Sequence, residues 1–439
     1  MSGNAQPIAA LVIFLGAYAL IITERLHRTV VALLGAALVL VLRVVSQRAA
    51  FAFVDWNTIF LLFGMMVIVG ITRRTGLFQW LAIKSAKAAR AEPLRMIVMF
   101  SIFTAVMSAF LDNVTTVLLI APVTLVIADA LAISPVPFLI AEILASNIGG
   151  TATLIGDPPN IMIGSASGLG FMSFVIHLTP VIILVFVAYL ASLRFFFGKS
   201  MAVSEHARAS IYAFDEAKAI TDWPLLRKSL AVLALTLVGF FAHEALRLEP
   251  ATIALAGAAL LLVISGADLE QTVLHDIEWP TLLFFVGLFV LVAGLVDTGV
   301  IHAISRPLVA GAERSVPLTS IALLWASAAL SAVVDNIPFV ATVNPMLLDV
   351  ARRFAGSAGD VRAVMHGPQM LPLWWSLALG ACLGGNATLI GASANVVIAG
   401  VAERNGYRIA FVEFLKYGIP VVIESLLICT AYIYLRYLR

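Results

Sequence analysis

In the stretch Ala145-Ser-Asn-Ile-Gly-Gly-Thr-Ala-Thr-Leu-Ile-Gly-Asp-Pro-Pro-Asn160, glycines, hydroxyls and a carboxylate interrupt an otherwise apolar segment. Glycine and proline free backbone groups from helical pairing, and such groups are tolerated at membrane depth only where they face protein or line a cavity. A second stretch, Gly384-Gly-Asn-Ala-Thr-Leu-Ile-Gly-Ala-Ser-Ala-Asn395, repeats residues 149–160 at 8 of 12 positions, 235 residues downstream. Two matched breaks of this kind predict a binding site at the midplane of a membrane.

The composition of the chain is that of a polytopic membrane protein. Of its 439 residues, 62% are hydrophobic and only 12% are charged, too few to cover a soluble globule of this size. The formal net charge is +2 without a dense basic cluster, so we expect a lipid bilayer and no nucleic acid as partner. Cys382 and Cys429 both fall in apolar runs, and the histidines show no metal-ligand spacing. We therefore expect no metal, no cofactor and no catalytic residue.

The order of apolar and polar segments predicts two similar halves and an all-α fold. Residues 1–197 contain spans within 8–72, a hairpin at 94–131, a broken helix at 136–166 and a span at 172–197. A cytoplasmic linker is predicted at 198–228. Residues 229–439 then contain spans within 229–296, a hairpin at 317–348, a broken helix at 372–400 and a span at 411–436. We expect the hairpins to be re-entrant, each made of two half-length helices.

The halves also match residue by residue. Trp56, Gly64 and Asp112 correspond to Trp279, Gly287 and Asp335 at a constant offset of 223. About ten transmembrane helices in all give each half five crossings, and an odd number turns the second half upside down. Hairpins that span fully would give the same parity. With the N-terminus outside, the cytoplasmic loops hold 17 of the 27 Lys and Arg residues.

Several carboxylates lie where a bilayer would bury them. An ionised carboxylate at the bilayer centre costs about 3 kcal/mol on insertion scales, so such a residue needs a partner or a task. Asp112 and Asp335 each begin an Asp-Asn pair at a hairpin tip, where helix ends can meet an ion or solute. Their alternative role is to cap the following helix. Because they occupy equivalent positions, we favour a transport role.

Asp157, in the first break, has no acidic counterpart in the second break, where Ala392 occupies the equivalent position. With Thr151 and Thr153, it offers hydrogen-bond acceptors and a proton acceptor in the first half only. Capping the helix that begins at Pro158 is an equally supported role. Glu142 and Glu424 also lie in apolar segments, where pairing with a neighbouring polar group would explain them.

Together these motifs resemble the ion transporter superfamily, and most of all its branch that holds the arsenical pump membrane protein ArsB and the melanosomal P protein. The resemblance covers nearly the whole chain. It implies a scaffold domain, a mobile transport domain, elevator-like alternating access, a location in the cell inner membrane, and commonly a homodimer. ArsB-type proteins expel arsenite or antimonite in exchange for protons, in some cases with an arsenical ATPase subunit.

The resemblance also implies a site, which we assign to positions of this sequence. Asp112, Asp157 and Asp335 are the candidate proton- or ion-coupling residues. The candidate solute-binding residues are polar or backbone-exposing positions at the tips and breaks: Asn113, Thr115, Thr116, Gly149, Gly150, Thr151, Thr153, Asn336, Gly384, Gly385, Asn386 and Thr388.

Three functions remain open at this point. In dicarboxylate members of the superfamily a serine stands where this chain has Asp112 and Asp335, and an extra negative charge repels a dicarboxylate. Proton-coupled efflux of arsenite or antimonite is therefore favoured over citrate transport. A sodium/proton antiporter is the alternative, since NhaD-type exchangers also carry Asp-Asn at the first tip. A non-transporting scaffold or receptor is the third reading; none of the three is an enzyme.

Overall fold

The structure is a computed structural model that describes residues 5–23, 26–198, 203–213, 215–356 and 359–439. Within these ranges the chain is helical and has no strand. The first half contains α1 (Ala5–Ile22), α2 (Arg28–Val41), α3 (Gln47–Phe53), α4 (Trp56–Arg73), α5 (Leu77–Ala88), α6 (Pro93–Phe110), α7 (Asn113–Ala130), α8 (Val136–Gly150), α9 (Pro158–Ser167), α10 (Phe171–His177) and α11 (Thr179–Phe197).

The predicted linker contains α12 (Glu205–Ala213) and a 3₁₀ turn, Glu216–Ala219; its residues 199–202 and 214 lie outside the described ranges. The second half contains α13 (Trp223–Leu246), α14 (Pro250–Ser265), α15 (Leu269–His275), α16 (Trp279–Asp297), α17 (Val300–Arg314), α18 (Val316–Ser331), α19 (Asn336–Ala355), α20 (Val361–Met365), α21 (Leu371–Gly384), α22 (Ser393–Arg404) and α23 (Phe411–Ile433). A π-helical turn, Tyr434–Leu438, ends the chain.

The helices of the two halves keep the spacing found in the sequence. α4, α6 and α7 begin 223 residues before α16, α18 and α19, whereas α8 and α9 begin 235 residues before α21 and α22. The extra residues of the second half therefore fall between the starts of α19 and α21, where α20 has been added. Gly76 and Gly299, also 223 apart, both adopt left-handed backbone at the start of α5 and α17, with φ of +79° and +75°.

Helices from opposite halves pack in reciprocal pairs. α4 packs on α14 and α2 packs on α16. At these contacts the backbones touch: a Cβ on Gly64 would lie 2.7 Å from the Ala254 backbone, and one on Gly287 would lie 2.8 Å from the Ala32 backbone. Exchange of the same contact between the halves is the packing that a pseudo-two-fold axis produces. The orientation of each half in a bilayer stays a prediction.

Helix lengths depart from expectation in several places. Seven described helices are long and apolar enough to cross a membrane, or eight if α9 and α10, bent by 116°, form one span, where about ten were expected. α2 is only 14 residues long because the chain turns after Val41, with Arg43 at a positive φ. α13 begins at Trp223 rather than near 229, because Asp222 accepts the Leu225 N–H at 2.8 Å and caps it.

Two further boundaries differ. The arms of the first hairpin, α6 and α7, are 18 residues each, so the expectation of half-length arms was wrong. The break between them uses only Leu111 and Asp112, which leaves the flanking apolar residues free to continue both helices. The predicted span 172–197 is divided at Leu178 into α10 and α11, since Pro180 begins a new helix.

Candidate functional site

Each hairpin tip carries an aspartate that caps the following helix. Asp112 caps α7 by accepting the Thr115 N–H at 2.8 Å, and Asp335 caps α19 by accepting the Ile337 N–H at 3.1 Å. Each cap leaves the following asparagine, Asn113 or Asn336, as the first helical residue. Both aspartates therefore cap their helices, and this role does not exclude a second one.

The two breaks are also built in the same way. Asn160 donates its side-chain amide to the carbonyls of Thr151 and Thr153, at 3.1 and 2.8 Å. Asn395 donates to the carbonyls of Gly385 and Thr388, both at 2.8 Å. One asparagine in each half thus satisfies carbonyls that the broken helix leaves without helical partners.

Most of the predicted hydroxyl and glycine ligands hold the breaks against the hairpins in this conformation. Thr153 and Thr388 donate to the carbonyls of Ala109 and Ala332, at 2.5 and 2.6 Å. Gly149 and Gly384 lie against the backbones of Ala105 and Ala328, where an added Cβ would come within 2.5 Å of a backbone atom. Thr151 donates to its own helix, at the Asn147 carbonyl, and the Gly150 and Gly385 backbones contact the other end of their breaks. A role for these residues as solute ligands stays a prediction.

Both hairpin tips converge on Asp157. This carboxylate is 0% exposed. It accepts the Asn113 side-chain amide at 3.3 Å and lies 3.5 Å from the Asn336 side-chain amide nitrogen through each of its oxygens. The asparagines come from different halves, 223 positions apart, so the shared acid joins the two repeats at one point.

A chain of amides continues inward from Asp157. Asn113 also donates to the Asn147 oxygen at 3.0 Å, and Asn147 donates at 2.8 Å to both Asn386 and Asn395. Sequence reasoning missed Asn147, because Cys382 stands at its equivalent position and the repeat therefore gives no signal. Its place three residues before Gly150, within an apolar segment, was the available sign.

The polar side chains around Asp157 enclose a small cavity. Its volume is about 10 Å³, room for a single water molecule. Three carboxyl groups, of Asp112, Asp157 and Glu278, line it, and the Asn113 side-chain oxygen has no partner among the described residues. The complete lining is Arg28, Leu62, Met66, Asp112, Asn113, Val114, Asp157, Pro158, Glu278, Thr281, Asn336, Ile337 and Ser393.

The second tip carries an ion pair that the first tip lacks. Arg28, the first residue of α2, donates to Asp335 at 2.9 Å, and Ser393 donates to the same carboxylate oxygen at 2.7 Å. Within the described ranges Asp112 has no ion pair. Arg28, Glu278 and Ser393 were not among the predicted site residues. Arg28 sits among loop charges in the sequence, and Ser393 belongs to the second break.

Other predicted polar residues lie away from the cavity. Thr116 is buried and its hydroxyl has no partner among the described residues, while Thr115 contributes its N–H to the Asp112 cap. Glu142 is 1% exposed and contacts the Thr124 hydroxyl at 2.5 Å. Cys382 contacts the Asn160 oxygen at 3.5 Å. Within the described ranges, no group of three or more His, Cys, Asp and Glu residues could hold a metal ion.

Comparison with known proteins identifies the family. A citrate transporter family model, CitMHS, matches residues 18–380. An uncharacterised transporter of Mycobacterium tuberculosis is 46% identical over 435 residues, which cover 98% of each chain. The chain belongs to the CitMHS family. It is a multi-pass membrane transporter.

Two more distant matches extend the CitMHS assignment. The human P protein is 34% identical over 514 aligned positions, which cover 98% of this chain and 60% of the P protein. This match confirms the predicted likeness to the P protein branch. The crystal structure of the YdaH transporter of Alcanivorax borkumensis, described as having an unusual topology, aligns with a TM-score of 0.54 at 14% identity, over 88% of this chain and 86% of that one. At this identity the likeness shows a shared fold.

Proposed function

We propose that the chain is a proton-coupled secondary transporter of the cell inner membrane, and that Asp157 carries the proton. The observation that supports this most is the position of Asp157, which is fully buried and contacted by one asparagine from each half. Because Asp157 lies in the first half and contacts an asparagine from each half, a change in its protonation can affect both hairpin tips.

The chemistry of this position suits a group that gains and loses a proton. Burying an ionised carboxylate is costly unless charge-assisted hydrogen bonds compensate it. The Asn113 amide and, at longer range, the Asn336 amide supply such donors, and neither brings a positive charge. A neutral carboxylic acid would need them less. Proton release from Asp157 would therefore strengthen its contacts with Asn113 and Asn336. A cargo that moves either hairpin tip would in turn change the proton affinity of Asp157.

The charges around the cavity restrict the cargo. Three carboxyl groups line it, and the one cation among its described lining residues, Arg28, is paired with Asp335. A free carboxylate cargo would meet repulsion without a free cation, which disfavours citrate despite the name of the family. An uncharged hydroxide or a cation fits better. We propose efflux of arsenite or antimonite, as the uncharged trihydroxide, in exchange for protons by elevator-like alternating access.

A sodium/proton antiporter is the second candidate, and the size of the cavity favours it. A space of about 10 Å³ suits a water-sized occupant more than a trihydroxide. The unpartnered Asn113 oxygen and the nearby carboxylates are hard oxygen ligands of the kind that alkali and alkaline-earth cations prefer. Arsenite transport requires the tips to separate before the cargo enters.

Flux measurements on one preparation distinguish these candidates. Purified protein in liposomes with an imposed pH gradient is given arsenite, antimonite, sodium or citrate in separate assays, without ATP. The proposal predicts gradient-driven flux of arsenite and antimonite, at least about tenfold lower in Asp157→Asn. Glu424→Gln is the matched control, because Glu424 contacts Ser192 at 2.7 Å and does not line the cavity.

The pattern of flux decides among the functions. Flux of sodium alone would select the antiporter. Flux of citrate that Asp157→Asn leaves intact would contradict the proposal. The purified protein also tests two further proposals. Its mass in detergent shows whether it forms a homodimer. Flux driven by the pH gradient alone would show that it does not require an ATPase partner.

A further inference from the structure

Arg28 links the start of α2 to the second hairpin tip and to the second break. It begins α2, which packs on α16, whereas Asp335 lies at the tip between α18 and α19 and Ser393 begins α22. The Arg28 guanidinium contacts both side chains, and Ser393 contacts the same Asp335 oxygen. The Arg28 side chain is 25% exposed and that of Asp335 is 10% exposed, so water only partly screens this ion pair.

These three residues separate two spaces. An open vestibule of about 310 Å³ is lined by Arg28, Asp335 and Ser393 and by apolar residues such as Leu26 and Val396. The enclosed cavity at Asp157 is also lined by Arg28 and Ser393. The polar contact is therefore the wall between the vestibule and the site, and a solute that passes from one to the other must displace it.

The first hairpin tip lacks the residues that would form an equivalent contact. The offset of 223 places Ala251 at the position equivalent to Arg28, and the offset of 235 places Pro158 at the position equivalent to Ser393. Asp112, the equivalent of Asp335, consequently has neither a guanidinium nor a hydroxyl at the corresponding places. If the two halves exchange conformations, the first tip approaches Ala251, which cannot form the ion pair that Arg28 forms with Asp335.

We infer that the Arg28 contact with Asp335 and Ser393 is a lock for one of the two access states, and that it biases the resting protein toward the state seen here. The inference rests on the alternating access proposed above. The lock sets a resting bias because its stabilisation is present in one state and absent in the other. A cation or proton that reaches Asp335 through the vestibule would compete with Arg28 and release the lock.

Cysteine labelling in proteoliposomes tests the lock. In a background with Cys382→Ala and Cys429→Ala, Val396→Cys reports the vestibule, since Val396 is 36% exposed. Ala341→Cys reports a second groove, of about 160 Å³, which is also lined by Asp55. Asp55 immediately precedes α4, whereas Leu62 and Met66, further along α4, line the site. Ala341 is 4% exposed in the present state. A membrane-impermeant maleimide gives a labelling rate for each reporter, and cargo flux is measured on the same samples.

The expected result is a shift from the first reporter to the second. Arg28→Ala should lower the ratio of the Val396→Cys rate to the Ala341→Cys rate by about fivefold. Asp335→Asn should give a similar shift, and the double variant should add little, because both single variants remove one contact. Arg28→Lys should restore most of the ratio, which a general loss of folding would not do.

Three results would contradict the lock, and they differ in what they imply for transport. In the first result, the reporter protein with Arg28 intact shows flux and its labelling ratio responds to a pH gradient, but Arg28→Ala leaves the ratio unchanged. The lock is then contradicted, whereas the proposed transport function is not. If the ratio responds to neither cargo nor gradient while flux continues, alternating access itself is wrong. Additive effects of Arg28→Ala and Asp335→Asn would also contradict a single shared contact.

Discussion

The two hairpin tips share an aspartate that caps the following helix and an asparagine that begins it, but their surroundings differ. Asp112 and Asp335 cap equivalent helices and precede equivalent asparagines, both of which contact Asp157. Among the residues that the structure describes, Asp335 has a guanidinium partner and Asp112 has none. The repeat thus supplies the aspartate cap twice, whereas the ion pair at the tip occurs once among the described residues. Function in this chain is expected where the repeat fails.

The largest expected effect separates the two tip aspartates. Asp112→Asn should lower proton-coupled flux by more than about tenfold, since Asp112 lines the cavity and has no ion pair within the described ranges. Asp335→Asn should lower it by about threefold, because Arg28 already neutralises that charge in the present state. The measurement is initial flux in liposomes over a range of pH. Equal losses would show that the ion pair does not distinguish the tips.

Asn147 and Cys382 occupy equivalent positions in the two halves but should differ in their effect on stability. Asn147→Ala should lower the free energy of unfolding by about 2–4 kcal/mol, because it removes the donor to the buried side-chain oxygens of Asn386 and Asn395 and one of the two acceptors of the Asn113 amide. Cys382→Ala should cost less than about 1 kcal/mol, since a thiol makes only weak hydrogen bonds, such as the contact with the Asn160 oxygen at 3.5 Å. Thermal unfolding in detergent provides the comparison, and a larger loss for Cys382→Ala would reverse the assignment.

Substitution of the equivalent glycines Gly149 and Gly384 should lower stability to a similar extent, whereas substitution of Asp112 and Asp335 should have unequal effects on flux. Gly149→Ala and Gly384→Ala each place a Cβ against a helix backbone and should each lower the free energy of unfolding by about 1–3 kcal/mol. Gly16→Ala is the control, because nothing lies within 4 Å of its added Cβ; it should leave stability unchanged or raise it slightly. A loss confined to one of the two breaks would mean that their packing is not equivalent.

The smallest effect is expected at a contact that joins the halves outside the site. Tyr407, in the loop between α22 and α23, donates to Asp129 at 2.7 Å, and this hydrogen bond to a carboxylate raises the pKa of the phenol. A raised phenol pKa keeps the donor protonated, so the contact is present through neutral pH and is lost only as pH rises through that pKa. Tyr407→Phe should therefore change flux by less than about twofold between pH 6 and 8. A strong effect would place this loop in the transport cycle.

Much of the fold could be predicted from the sequence because the repeat is explicit. The offsets located the tips and the breaks, and glycine and proline patterns showed where helices stop. Helix lengths were harder, since a two-residue break at Leu111 and Asp112 left both arms of the first hairpin at full length.

The site was predicted only in part, for a related reason. Asp112, Asp157, Asn113 and Asn336 were found because polar residues in apolar segments stand out. Arg28 and Glu278 could not be found, because they lie at helix starts among other charges and their role depends on which helices pack together. Several threonines were expected to face solute, but in this conformation Thr153 and Thr388 satisfy hairpin carbonyls instead.

Asp157, which contacts an asparagine from each half, is proposed to gain and lose the coupled proton. Infrared difference spectroscopy with and without arsenite observes protonated carboxylic acids directly. We predict a cargo-dependent loss of a carboxylic acid band that is absent in Asp157→Asn and retained in Glu424→Gln. The same band with unchanged amplitude in Asp157→Asn would contradict the account.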